Sequence, residues 1–242
     1  MNRLSRTRSQ AGFTLVELLV VVGIIVVLMS LLLTAVPAVK DAQRKLDARQ
    51  TSSQIVAAVN AYYTEYAKFP PVVSAEEAAK SPNNAQKDTV VGDEKMSATA
   101  QNAALFNTLR NIPKTPNENY ILNPRRVVFY EGKAAIVATG NKPRQGFFDR
   151  TNDGAAAPEQ LAGGLYDPWG KQFGVVVDTT GDERINLDGY YADFTGDDPT
   201  TGKAPRKRVG AFSMGKDETL GKNGDRTYRK GNDVSDDVIS WE

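Results

Sequence analysis

A run of nineteen residues without a charged side chain, from Leu18 to Val36, is the feature that most constrains how this chain can fold. At helical rise the run is nearly as long as the hydrocarbon core of a bilayer, which is about 30 Å thick. Glu17 lies at its start, and an ionised side chain costs roughly 2.5–3.5 kcal/mol near the bilayer centre and less near the edge. A carboxylate in this position therefore indicates a specific partner.

The residues before the run predict its orientation. Arg3, Arg6 and Arg8 precede it, and the first twelve residues contain no acidic side chain. Because positive charge stays on the cytoplasmic side, we expect the amino terminus in the cytoplasm and the chain after about residue 36 outside. A secretory signal peptide is the main rival, but its apolar region is usually only about 7–15 residues long. No A-x-A-like cleavage site closes this run cleanly, which also argues against a signal peptide. An ordinary single-span anchor is a second alternative, but it leaves Gly12, Phe13 and Glu17 unexplained.

The string GFTLVE, from Gly12 to Glu17, resembles the processing site of type IV prepilins and of the pseudopilins of type II secretion. The resemblance implies that a membrane peptidase, the prepilin peptidase, cleaves the Gly12–Phe13 bond and methylates Phe13. Glu17 would then be the fifth residue of the mature chain and pair with the terminal amine of a neighbouring subunit, which compensates a buried charge. A small residue before the bond suits close approach of the peptidase to the backbone.

Composition excludes several kinds of chemistry. The formal charge is +1, and −2 without the three leader arginines, so we expect no nucleic acid as the main partner, although competence pilins of the same family bind DNA. Histidine and cysteine are both absent, which excludes serine–histidine and cysteine–histidine nucleophiles, the usual zinc sites and disulfides. We therefore expect any metal to be held by oxygen atoms, and the resemblance to prepilins implies a structural protein rather than an enzyme.

After Pro37 the helical pattern continues but becomes amphipathic. The helix should end near Lys68, because Phe69 precedes a proline pair. Helical spacing predicts one apolar stripe on this half of the helix, formed by Ile55, Val56, Val59, Tyr62, Tyr63 and Tyr66.

The rest of the chain predicts one globular domain. We expect a short helix around 98–110, a surface loop over 75–95 and a hairpin of strands 126–130 and 134–138 about a turn at 131–133. Further strands are expected over 171–179 and 207–213. The fold class is α+β, a pilin fold with the long N-terminal helix packed on a small antiparallel sheet. The predicted segments are a cleaved basic leader (1–12), a transmembrane and filament-core helix (13–36), its amphipathic continuation (37–69) and the pilin-like domain (70–242).

Two C-terminal pieces carry a narrower resemblance. The turn Asp167-Pro168-Trp169-Gly170 and the segment from Ser213 to Trp241 are similar to the major pseudopilin of type II secretion, the G subunit. That resemblance implies a bound calcium ion, which takes six to eight oxygen ligands. Its implied ligands are the side chains of Asp217, Asp236 and Asp237, with backbone oxygens near Ser213 and Val234 as candidates.

Two readings of this loop stay open. A solvated acidic loop is the alternative to a calcium site. The middle of the loop is also basic, which opposes a cation unless these side chains turn outward: Lys222, Arg226, Arg229 and Lys230.

Two other acidic stretches are weaker candidates for a site. The segment from Asp178 to Asp198 looks like an insertion relative to the G subunit. It includes Asp182, Asp188, Asp193 and Asp197. The segment from Asp149 to Gly154 resembles the start of an EF-hand loop, but Thr151 and Gln160 depart from that pattern. We predict a surface loop for the latter.

The resemblance implies a structural subunit of a type II secretion pseudopilus. We expect a bacterial inner-membrane protein with one span and a periplasmic domain, which assembles into a helical homo-oligomeric filament. Minor pseudopilins and the inner-membrane secretion platform are the further partners implied. The alternative is a type IV pilin of a surface pilus for adhesion, motility or DNA uptake. A third hypothesis is a membrane-anchored binding protein or enzyme that uses a carboxylate pair in the acidic stretch 178–198.

Overall fold

The computed structural model describes residues 13–70, 88–92, 102–137, 143–149, 163–187, 189–194, 204–230 and 232–242. The chain divides into two compact units, Met1–Gln43 and Arg44–Glu242, and each is described by itself. In the first unit the described residues form the N-terminal part of helix α1. The second unit contains the rest of α1 and the sheet domain.

Among the described residues, two α-helices and ten short strands make up most of the regular structure. Helix α1 is Leu15–Tyr66 and helix α2 is Ala103–Leu109. The strands are β1 Thr89–Val91, β2 Ile136–Val137, β3 Pro143–Arg144, β4 Gly146–Phe147, β5 Leu165–Tyr166, β6 Gly174–Val177, β7 Val209–Ser213, β8 Arg229–Lys230, β9 Asp233–Val234 and β10 Val238–Ile239.

Four of the strands form the main antiparallel sheet, in the order β1-β6-β7-β10. Thr89 pairs with Val177 across β1 and β6, and Val175 pairs with Ala211 across β6 and β7. The remaining pairs, β2-β3, β4-β5 and β8-β9, are small antiparallel ribbons. The long helix and this small sheet confirm the predicted α+β, pilin-like layout.

Helix α1 covers one face of the main sheet. Val175 and Val177 of β6 belong to the same core cluster as Ile55, Val59 and Tyr62 of the helix, and the three helix residues are fully buried. This contact confirms the predicted stripe, since residues three and four apart lie on one side of a helix. Tyr66 and Val56 are partly buried against the same cluster.

The other face of the sheet is buried as well. Val176 of β6 and Phe212 of β7 pack in a second cluster with Ile185, Leu187 and Tyr191. These last three residues lie in the acidic stretch that looked like an insertion, so part of that stretch is core structure. Because β6 is buried on both faces, its sequence is a continuous apolar run rather than an alternating one.

Several boundaries differ from the sequence predictions. Helix α1 ends at Tyr66, two residues before the predicted end, and α2 begins at Ala103 within the predicted range. Strand β1 lies inside the segment predicted as a surface loop, so that part of the prediction is wrong. Much of that loop lies outside the described residues.

The predicted hairpin is also wrong. Residues 126–130 form no strand, and the backbone N–H groups of Phe129 and Tyr130 donate to the carbonyl of Leu109 instead. Strand β2 pairs with β3, which follows it, rather than with the segment before it.

Buried asparagine side chains hold these irregular segments in place. Asn123 donates from its side-chain amide to the carbonyl oxygens of Thr108 and Val127, at 3.2 and 2.6 Å. Its Oδ1 accepts from the hydroxyl of Tyr66 at 2.7 Å and from the backbone N–H of Val127 at 3.1 Å. Asn102 makes comparable contacts with the backbone of Leu165 in β5 and of Phe173, the residue before β6.

Asn123→Ala should lower the free energy of unfolding by about 3 kcal/mol, because it leaves several buried polar groups without partners. Asn60→Ala is the matched control, since Asn60 is exposed on α1 and alanine changes helix stability there by less than about 0.7 kcal/mol. Denaturant unfolding of the full chain in detergent micelles, followed by tryptophan fluorescence, measures both. Equal stabilities of the two variants would contradict this role of Asn123.

Candidate functional site

The start of helix α1 is organised by Thr14 and Glu17. The backbone N–H and the hydroxyl of Thr14 both donate to Oε2 of Glu17 at 2.9 Å, and the N–H of Glu17 donates to the Thr14 hydroxyl at 3.2 Å. This reciprocal arrangement is a capping box. The T-x-x-E spacing from Thr14 to Glu17 is the sequence signature that could have predicted this cap. Phe13 is exposed, and Gly12 lies outside the described residues.

The apolar side chains of the first unit are not covered by other described residues of that unit. Large apolar residues from Leu15 to Leu33 are 46 to 81% exposed. Helix α1 is long and apolar enough to cross a membrane by length and composition. A helix that is apolar on all sides requires either a bilayer or other apolar helices around it.

The C-terminal loop brings three carboxylates together. Asp217, Asp236 and Asp237 each offer an oxygen, and these oxygens all lie within 4.8 Å of one another. Ser213 ends strand β7 at the entrance to the loop, and Val234 ends strand β9 shortly before the aspartates. The structure thus gathers the three predicted side-chain ligands, whereas ligation by backbone oxygens near Ser213 and Val234 stays a prediction.

Backbone N–H groups fold the loop around two of these carboxylates. Oδ2 of Asp236 accepts from the N–H groups of Lys216 and Asp217, at 2.5 and 3.1 Å. Asp217 accepts from the N–H groups of Thr219 and Asn223, at 2.9 and 3.0 Å. Such contacts fix the positions of the carboxylates while leaving lone pairs for a cation, because each carboxylate has about four acceptor sites.

Asp237 lies deeper than its neighbours and is only 5% exposed. Its Oδ2 accepts from the hydroxyl of Tyr191 at 2.7 Å and from the N–H of Gly221 at 2.8 Å. Its Oδ1 is buried and has no hydrogen-bond partner among the described residues. A buried carboxylate oxygen without a partner is costly, so it requires a proton or a cation.

The electrostatics of Asp237 reflect this missing partner. The pKa of its carboxyl is raised from 3.8 to about 7: burial is the main cause, the hydrogen bonds from Gly221 and Tyr191 oppose it, and the charge of Asp236 adds to it. Burial also raises the pKa of Tyr191 well above its usual range, with the charge of Asp237 as the second cause. A cation at the three carboxylates would favour the ionised form of Asp237.

The basic side chains in the middle of the loop have acceptors of their own. Lys222 forms an ion pair with Asp233 at 2.7 Å, and Arg229 forms one with Glu242. The guanidinium of Arg226 donates to the carbonyl of Gly189 at 2.7 Å. Lys222, Arg226 and Arg229 thus have acceptors other than the three aspartates, which removes their objection to a bound cation. The side chain of Lys230 is not among those that the structure describes.

The predicted D-P-W-G turn is joined to the same loop. Oδ1 of Asp167 accepts from the N–H groups of Trp169, Gly170 and Lys171, at 2.9, 2.7 and 2.9 Å. Its Oδ2 accepts from the hydroxyl of Ser213 at 2.6 Å. Burial raises the pKa of Asp167, and these hydrogen bonds oppose that effect. One buried side chain therefore connects the two segments that the sequence resemblance had singled out.

In the acidic stretch 178–198, Asp178 and Asp182 hold the backbone of the stretch itself, whereas Asp193 accepts from the N–H of Arg229 in β8 at 2.6 Å. Asp178 accepts from the N–H groups of Gly181 and Glu183, at 2.6 and 2.9 Å, and Asp182 accepts from the N–H of Arg184 at 2.9 Å. These bonds are typical of turns rather than of a catalytic pair. Asp188 and Asp197 lie outside the described residues.

The EF-hand-like segment is described only at its first residue. Asp149 forms an ion pair with Arg110 at 2.8 Å. The remaining positions of the pattern, including Thr151 and Gln160, lie outside the described residues.

Comparison with known families bears on the N-terminal part of the chain. Residues 7–33 match the family model described as the prokaryotic N-terminal methylation motif. The chain carries a type IV pilin-like N-terminus. The motif implies processing by the prepilin peptidase and association with a membrane, and the apolar helix is consistent with a single-pass anchor. No curated protein and no solved structure matches the chain significantly.

The raised pKa of Asp237 predicts a pH dependence of stability in the absence of calcium. The folded state binds this proton more tightly than the unfolded state, so the stabilising contribution is full below about pH 4 and is lost as pH rises towards 7. Asp237→Asn should remove that part of the pH dependence, so its stability relative to the natural chain should increase with pH. Unfolding free energies measured in chelator between pH 4 and 8 test this, and parallel pH profiles for the two proteins would contradict it.

Proposed function

We propose that the protein is a structural subunit of a type II secretion pseudopilus. The methylation motif of residues 7–33 carries the general part of the proposal, a subunit processed by the prepilin peptidase, and the three carboxylates gathered in the C-terminal loop favour the pseudopilus. In this proposal the prepilin peptidase cuts the Gly12–Phe13 bond and methylates Phe13. The exposed apolar part of α1 then passes from the bilayer into a bundle of equivalent helices, since both environments satisfy an all-round apolar surface.

Glu17 has two compatible roles in this scheme. Its capping-box bonds with Thr14 use Oε2. Among the described residues Oε1 is left for the terminal amine of a neighbouring subunit. Cleavage before Phe13 leaves the N–H of Thr14 in a peptide bond, so the cap persists in the mature chain. Pairing across subunits would offset the cost of burying the Glu17 charge in the filament.

Calcium at the C-terminal loop is the second part of the proposal. Asp217, Asp236 and Asp237 supply carboxylate oxygens, and backbone oxygens and water would complete the six to eight ligands that calcium takes. The unpartnered Oδ1 of Asp237 supports a cation, because a buried ionised oxygen needs a compensating charge. A bound ion would order the loop in the folded state and thereby stabilise it.

The subunit would act through assembly and contribute no catalytic residue. The chain has neither histidine nor cysteine, and the carboxylates of Asp178 and Asp182 in the acidic stretch hold backbone turns. Minor pseudopilins and the inner-membrane platform would be its partners in the secretion system.

Processing can be tested by co-expressing the chain with a prepilin peptidase and measuring intact mass. The natural chain should lose residues 1–12 and gain one methyl group. Gly12→Val should remain uncut, because the added side chain blocks close approach to the backbone. Glu17→Gln should be cut, but chemical crosslinking should no longer join neighbouring subunits through α1. An uncut natural chain would overturn the proposal at its first step.

Calcium binding can be tested by thermal unfolding of the full chain in detergent micelles, with calcium and with chelator. At a hundredfold excess over the dissociation constant, calcium should stabilise the natural chain by about 2.7 kcal/mol. Asp236→Asn should lose the response. Glu131→Gln removes the same charge from an exposed residue outside the loop and should keep the response.

The two experiments have separate consequences. A processed chain that responds to calcium supports the pseudopilus. A processed chain without any response to calcium removes the metal site and favours the surface pilus, because the methylation motif itself fits both.

A further inference from the structure

A basic cavity lies beside the start of strand β7, away from the three aspartates. Arg206, Lys207 and Arg208 are consecutive and exposed, and Arg184 is half-buried opposite them. The cavity has a volume of about 400 Å³. Its lining consists entirely of charged residues: Asp182, Glu183, Arg184, Arg206, Lys207 and Arg208.

The backbone around the cavity is held by hydrogen bonds. The N–H groups of Lys207 and Ile185 both donate to the carbonyl of Pro205, at 2.8 and 3.1 Å. The N–H of Asp178 donates to the carbonyl of Arg208 at 2.9 Å. The two segments that carry the basic residues are therefore fixed relative to each other, which reduces the entropy lost when a ligand binds.

The positive charges of the cavity are only partly compensated within the protein. Arg208 forms an ion pair with Glu183 at 2.6 Å, and the guanidinium of Arg184 donates to the carbonyl of Ala204 at 3.2 Å. Among the described residues, Arg206 and Lys207 form no ion pair. The cavity thus combines four cations with two carboxylates in a chain whose formal charge is only +1.

We propose that this cavity binds phosphate groups. Guanidinium groups donate two parallel hydrogen bonds to a phosphate, and an ammonium adds a mobile point charge. The absence of apolar residues from the lining disfavours an apolar ligand, since such sites are normally lined by hydrophobic side chains. The surplus of two cations favours an anionic ligand. Phosphate groups are available to such a cavity either in a free polyphosphate or in the phosphodiester of a lipid headgroup.

The site is separate from the proposed calcium loop. Neither segment of the cavity contains Asp217, Asp236 or Asp237, and none of the hydrogen bonds that hold its backbone involves the C-terminal loop. Asp236→Asn should therefore leave phosphate binding unchanged.

Calorimetric titration of the full chain in neutral detergent micelles tests the proposal. The protein is first freed of calcium, because pyrophosphate binds that ion. Inorganic pyrophosphate represents the free source, and glycerophosphoglycerol, a soluble phosphodiester, represents the lipid headgroup. We expect pyrophosphate to bind and the binding to weaken as sodium chloride rises, since salt screens exposed charges.

The variants decide between specific and general charge effects. Arg206→Gln with Lys207→Gln should weaken binding roughly tenfold or more, because charge-assisted hydrogen bonds are lost. Lys68→Gln with Lys114→Gln removes the same charge from exposed residues elsewhere and should have little effect. Arg206→Glu with Lys207→Glu should abolish binding. Equal melting temperatures of all variants would show that folding is intact.

The outcomes separate the two phosphate sources. Binding of pyrophosphate alone, sensitive to Arg206 and Lys207, supports a free polyphosphate. Binding of the phosphodiester with the same sensitivity supports a lipid headgroup. Failure of both anions to bind, or equal binding by all variants, would overturn the proposal.

Discussion

Helix α1 distributes its apolar side chains in two different ways, and the rest of the structure depends on this difference. From Leu15 to Leu33 the apolar residues surround the helix and are exposed, so the described residues of that unit do not cover them. From Ile55 onward they form one stripe, and the stripe supplies one face of the domain core. The hydrophobic effect therefore drives the second half into its own domain and leaves the first half to be covered by lipid or by other helices. A type IV pilin-like N-terminus is consistent with that division.

Three buried carboxyl and amide groups illustrate how the domain core tolerates polar atoms. Asn123 and Asp167 each make four hydrogen bonds through their side chains, and these bonds fix turns that have little regular structure. Asp237 is similarly buried, but one of its oxygens has no partner among the described residues. A low-dielectric interior magnifies both situations, stabilising the satisfied groups and penalising the unsatisfied one. That contrast is the physical basis of the proposed calcium site.

Much of the architecture could be predicted because long periodic segments carry strong signals. The helix, its stripe and strands β6 and β7 followed from spacing and apolar runs, and the three aspartates followed from a resemblance in the C-terminal loop. Strand β1 was missed because three residues are too short to show alternation. The false hairpin arose because local strand propensity at 126–130 is overridden by contacts with Leu109. The second core face was missed because Ile185, Leu187 and Tyr191 are scattered among acidic and glycine residues without a period.

The main sheet also bears on how copies of the chain can associate. The proposed filament through α1 would compete with a second kind of polymer, in which exposed sheet edges of different molecules pair with one another. Strands β1 and β10 form the two edges, and they contain three and two residues. Edges this short offer few free backbone groups to another molecule, which limits edge-to-edge aggregation. The brevity of these strands would thus allow copies of the chain to be concentrated without passing into amyloid-like assemblies.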